Sequence, residues 1–170
     1  MKRTFVLIAI IAIAAVLLLA SCSNDDKIPV YGLMTFEGNA ITFVGAVIID
    51  GGQIAVGEYD LQFWATAAGA DLINETGQSN LIKLFLISPT PTLATGIYAW
   101  ADPLQNAYDM KASVFFTYQL PSGPGTEYAA SGGTVTVNSV SGNEYSLEFS
   151  LDINVPDDLT GRYDGPAVPK

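Results

Sequence analysis

Glu144-Tyr145-Ser146-Leu147-Glu148-Phe149-Ser150-Leu151-Asp152-Ile153-Asn154-Val155 alternates without interruption. Every odd position is apolar and every even position is polar. A period of two is the strand period, and a helix would scatter these residues round its axis. The stretch therefore reads as one strand with a buried face and a wet face. Upstream, Thr134 to Val140 alternates the same way, with Val135 and Val137 apolar. If the two strands share a face, odd positions pair with odd, which requires an odd-length loop. Val140-Ser141-Gly142 supplies three residues, with Gly142 free to take the left-handed conformation. Val137 is then expected opposite Tyr145, and Val135 opposite Leu147. Downstream, a last run from Leu159 to Tyr163 ends at Gly165-Pro166, and the tail to Lys170 is expected to fray.

The rest of the chain repeats this grammar. Short runs rich in Val, Ile, Thr, Tyr and Phe are separated by Gly, Pro, Asn and Asp. Tyr31 to Phe36 and Ala40 to Ile49 suit a hairpin turning at Gly38-Asn39, with Phe36 opposite Ile41 and Met34 opposite Phe43. Tyr59 to Thr66 puts Tyr59, Leu61 and Phe63 on one face and Asp60, Gln62, Trp64 and Thr66 on the other. Ala67 to Asn80 is a polar connection with room for a short helical turn. Leu81 to Ile87 is apolar on both faces except at Lys83, as in a central strand. Ser88-Pro89-Thr90-Pro91 stops it, because proline has no amide hydrogen to donate. Gly96 to Ala101 follows, with Tyr98 and Trp100 on one side. Lys111 to Leu120 gives an inward set of Ala112, Val114, Phe116, Tyr118 and Leu120. Pro121 to Gly125 is a loop by composition. Eight or nine antiparallel strands in one domain point to an all-β fold, a single antiparallel β-sandwich, with a barrel as the second choice.

The N-terminus is of a different kind. Lys2 and Arg3 precede an apolar run from Phe5 to Ala20, the pattern of an export signal. Leu19-Ala20-Ser21-Cys22 resembles the lipobox of bacterial lipoproteins. That resemblance implies lipidation of Cys22, removal of residues 1–21, a tether over 22–29 and a folded domain over 30–170. Ordinary signal cleavage and a retained membrane anchor are the alternatives. Both leave Cys22, the only cysteine, as an unpaired thiol. Asp25 and Asp26, just after the cysteine, resemble the surface-export signal of Bacteroidota lipoproteins. The chain also resembles small lipoproteins of that group in Ser131 to Val137, in Gly142 to Leu147 and in Leu159 to Pro166. The resemblance implies a lipid-anchored place in the cell envelope, at the outer membrane, with Asp25 and Asp26 pointing to its outer surface. It also implies a sandwich fold, and no catalytic residue.

Charge and composition exclude several functions. The net charge is −10, and loss of Lys2 and Arg3 makes it −12. Such a surface repels nucleic acid and anionic headgroups, so contact with a membrane is expected through the lipid alone. There is no histidine. Without it, Ser-His-Asp and Cys-His catalysis and the usual zinc sites are gone. No cofactor motif is present. Glu144, Glu148 and Asp152 share one strand face, but positions four apart are separated by ~13 Å. A catalytic carboxylate pair needs ~5–9.5 Å. Asp152, Asn154, Asp157 and Asp158 cluster near a turn. They read as loop solubility, with calcium as the other possibility.

Trp64 and Phe115 fall opposite the apolar sets of their strands. Covered, they are core; exposed, they could stack on sugar rings, with Asp60 and Gln62 supplying hydrogen bonds. The expected function is a non-enzymatic, lipid-anchored envelope protein whose domain binds or supports, with a glycan or a surface protein as partner. A carboxylate-dependent glycan-active enzyme is the remaining alternative.

Overall fold

The computed structural model describes residues 28–121, 123, 125–154 and 158–170. The lipobox residues Leu19, Ala20 and Ser21, Cys22 itself and Asp157 lie outside them. The strands are β1 (Gly32–Phe36), β2 (Asn39–Phe43), β3 (Gly45–Ala55), β4 (Glu58–Thr66), β5 (Ala70–Asp71) and β6 (Thr76–Ser88). After them come β7 (Gly96–Trp100), β8 (Asp109–Gln119), β9 (Thr126–Ala129), β10 (Gly132–Ser141), β11 (Glu144–Asp152) and β12 (Leu159–Pro169).

Eight of these strands close on themselves in the order β11-β10-β7-β8-β6-β4-β3-β12, with β12 returning to β11. The fold is all-β, and it is the barrel rather than the sandwich expected first. The sandwich reading fails because it leaves two open sheets, whereas β12 bridges both would-be edges. Along one side β12 pairs with β11 from Leu159 to Pro166. Along the other it pairs first with β1, Leu33 opposite Arg162, and then in parallel with β3, Ala167 opposite Ala46. A second parallel contact joins β7 to β8. The sheet is thus mixed, and not purely antiparallel.

The expected fraying tail is likewise corrected. Val168 and Pro169 lie in the ladder, and Lys170 N–H donates to the Ile48 carbonyl. Pro166 interrupts nothing. Asp164 N–H points to Tyr31 and Ala167 N–H to Asn143, so the Pro166 nitrogen faces the β1–β3 side, where β12 passes from one partner to the other.

Two hairpins keep their expected faces but slide by two residues. Val137 pairs with Leu147 and Val135 with Phe149, because the turn is the two-residue Gly142-Asn143. The odd-with-odd parity is met by a bulge at Asn138 instead of by an odd loop. Similarly, Met34 pairs with Ile41 and Gly32 with Phe43. That turn is Glu37-Gly38, both at positive φ (48° and 75°), as a type I′ turn demands. A slide of two preserves sidedness, whereas a slide of one would have reversed it. No helical turn occupies the β4–β6 connection. β5 pairs with β6 there, and Asp71 Oδ1 accepts from the backbone of Ile73 and Asn74.

The lumen is filled. Phe43, Phe63, Tyr98, Tyr163, Met34, Met110, Leu84 and Leu86 are fully buried in one cluster. Each large apolar side chain so buried contributes roughly 1.5–3 kcal/mol. Phe63 meets Tyr163 edge-on at 5.2 Å between ring centres. The buried hydroxyls are satisfied, Tyr98 donating to the Ala94 carbonyl and Tyr163 to that of Pro166. Burial pushes both phenols above the usual tyrosine range. One barrel end is closed by Phe36 of β1, whose ring lies 4.5 Å from Phe116 of β8 and 5.2 Å from Tyr128 of β9.

Glycine makes room for this packing at β12. A Cβ on Gly161 would enter the Phe149 ring, and one on Gly165 would enter the Tyr31 ring. The outward residues of β10 and β11 (Thr134, Glu144, Glu148, Ser150 and Asp152) are exposed and polar. On these two strands, apolar inside and polar outside is the reverse of a membrane-spanning barrel with an aqueous lumen.

Candidate functional site

The sheet register brings two of the four sequence-selected ligand residues together. On the outer face of the barrel, Val47 of β3, Trp64 of β4, Lys83 of β6 and Ser113 of β8 lie side by side in successive strands. Leu81 sits opposite Thr66 on one side and Phe115 on the other. A second apolar cluster forms here from Val47, Leu72, Leu81 and Leu120, with Ile49, Trp64, Ala70, Phe115 and Tyr118 packed on it.

β8 reaches this cluster through a local twist. Thr117 takes φ 54°, a left-handed conformation rare for a β-branched residue. Its N–H donates to Asn80 Oδ1 and its carbonyl accepts from Gln78 Nε2, so both ends are held by β6. Past Thr117 the alternation flips. Phe116 stays with the lumen cluster, whereas Tyr118 and Leu120, expected inward with it, join the outer one. Tyr118 then stands 4.9 Å from Phe115, ring centre to ring centre.

Lys83 ends in the middle of these rings. Its Nζ lies 3.9 Å from the centre of Trp64, 4.7 Å from Tyr118 and 4.9 Å from Phe115. All three are within the ~6 Å reach of a cation–π interaction. The residue is only 9% exposed. Burial pushes its ammonium below the usual lysine range, and the Glu127 carboxylate opposes this. Trp64 Nε1 is buried with no acceptor among the described residues. The arrangement is an aromatic cage whose cation is the protein's own side chain. Trp64 and Phe115 are half-buried, and the ammonium lies over their rings, where a sugar would otherwise stack.

Gln62 and Asp60 share the outer face of β4 but stand one and two side-chain repeats away from Trp64, toward the β3–β4 hairpin. Gln62 lies between Ile49 and Phe85. Asp60 abuts Gly51, and its carboxyl is raised above its usual range by burial and by nearby Asp50. Neither residue belongs to the cage.

Glu144, Glu148 and Asp152 are exposed along β11. Among the described residues no three His, Cys, Asp or Glu side chains converge as a metal site.

No family model matches the chain, and no curated protein or solved structure matches it either. The reading of this molecule therefore stands on its own residues. Sequence reasoning missed Lys83, Tyr118 and Leu72 as cage and cover. The one available signal was a single charge in the otherwise apolar run Leu81 to Ile87. Its neighbours become visible only once the β4–β6–β8 register is known.

Proposed function

We propose that this chain is a lipid-anchored protein of the cell envelope, held through Cys22, whose barrel is a non-enzymatic binding or structural module. The observation that carries the second half is the filled lumen. An eight-stranded barrel either encloses one small ligand or is packed with its own side chains. Here Tyr98, Tyr163, Phe43 and Phe63 occupy that space, so a partner is met from outside. The polar outer faces of β10 and β11 suit water, which favours a lipid on Cys22 over the barrel wall as the means of attachment. A net charge of −12 after signal removal selects neutral or basic partners.

Metabolic palmitate labelling tests the anchor. Label is expected on the intact chain and absent from the Cys22→Ala variant; equal labelling of both contradicts lipidation at that residue. Protease treatment of intact cells tests the side. Release of the barrel before lysis supports surface display, and release only after lysis places it within the envelope.

A further inference from the structure

β8 changes its neighbour part-way along one edge. Its first residues pair with β7, Trp100 opposite Met110. From Ser113 onward its partner is β9, Ser113 opposite Ala129. Where the two partners part, the barrel wall opens into a cleft of about 330 Å³. That lies at the small end of the ~300–1,000 Å³ usual for small-molecule sites. Trp100 and Ala112 line it from the lumen side, and Phe85, Lys111 and Ser113 from the outer side.

The chemistry of the lining is specific. Trp100 packs on the lumen cluster, and its Nε1–H is committed to the Ala130 carbonyl at 3.0 Å. The indole is thus fixed in orientation and offers the cleft a ring rather than a donor. Phe85 is half-buried yet belongs to neither apolar cluster. Beside the rings Lys111 pairs with Asp102, both partly exposed. The pair brings ammonium donors and carboxylate acceptors with no net charge. A fixed aromatic floor, a second ring and a neutral set of donors and acceptors match a polyhydroxylated ring with apolar C–H faces. A nucleic acid base would offer a similar face, but its phosphates would meet the negative field of the whole protein.

We infer that the cleft at the β7–β9 fork is a subsite for a neutral saccharide, its ring on Trp100 and Phe85 and its hydroxyls on Lys111, Asp102 and Ser113. The inference deepens the binding-module reading above and moves the sugar site away from the occupied cage at Trp64.

The test titrates the detergent-solubilised lipoprotein with neutral β-1,4-linked hexasaccharides of glucose, xylose, mannose and N-acetylglucosamine. Tryptophan fluorescence and calorimetry are the readouts. At least one sugar is expected to bind, with affinity at least tenfold weaker in Phe85→Ala and in Lys111→Ala. These residues line the outer side of the cleft, so an unchanged denaturation midpoint shows that the fold persists. Trp64→Phe is expected to leave the affinity unchanged. Binding by none of the four sugars overturns the inference, as does binding lost in Trp64→Phe and retained in the two cleft variants. Palmitate labelling that fails while a sugar still binds sinks the anchor and spares the cleft; the reverse pattern does the opposite.

Discussion

Lys83 and Trp64 should be energetically coupled, and a double-mutant cycle will read the coupling. Among the described residues the ammonium is recorded in no hydrogen bond or ion pair; Glu127 favours its charge from a distance, and three rings are what it touches. A desolvated cation–π contact is worth about 2 kcal/mol, and the contact with Trp64 at 3.9 Å is the shortest of the three. Against this stands a desolvation penalty of several kcal/mol for a buried ion. The two nearly cancel. Lys83→Met, which keeps the apolar stem and drops the charge, is therefore expected to be neutral or to stabilise by up to about 2 kcal/mol. Trp64→Leu removes ring volume and costs about 3 kcal/mol by packing loss alone. With Lys83 present it also strips the ammonium of its nearest face, adding about 2 kcal/mol. In the Lys83→Met background that addition disappears. Urea denaturation of the four proteins, at constant slope, gives the coupling directly. A value near 2 kcal/mol is expected. A value within about 0.5 kcal/mol of zero would refute the reasoning and reduce the cage to coincident packing.

Two further outcomes are expected. Ending the chain after Pro166 removes the β12–β3 pairing and the Lys170 contacts to Ile48 and Leu72. About three hydrogen bonds at ~1 kcal/mol each predict a loss near 3 kcal/mol in denaturant, with faster amide exchange in β3; an unshifted midpoint would contradict closure by the tail. Asp60 supplies a pH signature. Burial and nearby Asp50 hold its folded pKa above the ordinary aspartate value of 3.8, so the carboxyl favours the fold below 3.8 and opposes it once ionised. Asp60→Asn should therefore gain on the wild type as pH rises from about 3.8 through the raised value, then hold a constant advantage at neutral pH. A difference that stays flat through that window would show that the carboxyl is not desolvated.

What the sequence made legible was sidedness. Tyr145, Leu147, Phe149 and Leu151 are buried as their alternation requires, and Leu61 and Phe63 likewise. Period two is a local property, so it can be read locally. Register is not. Both hairpins slid by two because the turn at Glu37-Gly38, and the turn at Gly142-Asn143 combined with the Asn138 bulge, satisfy the same parity as the turns first expected. Closure was hidden for a related reason. Gly165-Pro166 looks like a terminator, and its compatibility with a strand depends on which neighbour each N–H faces. The fate of Tyr118 turned on a single dihedral at Thr117, held by Asn80 and Gln78 from 37 and 39 residues away. At the candidate site, the aromatic residues were legible as unusual. That Lys83 would cover them was not, since it required three strands in register.

The double partnership of β12 also has a temporal side. A polypeptide that emerges from its N-terminus presents β1, β2 and β3 first, with the strand that joins β1 to β3 still to come. β11 follows, with one edge bare. Until residues 159–169 arrive, the partial sheet has no closed circuit and its apolar face has no inside. Such long-range pairing is slow to form, because the intervening chain must be ordered before the contact rewards it. The topology therefore delays commitment to the native state until β12 is available. On the export route proposed above, in which the chain would cross a membrane unfolded, this delay would keep it threadable until its last strand has followed.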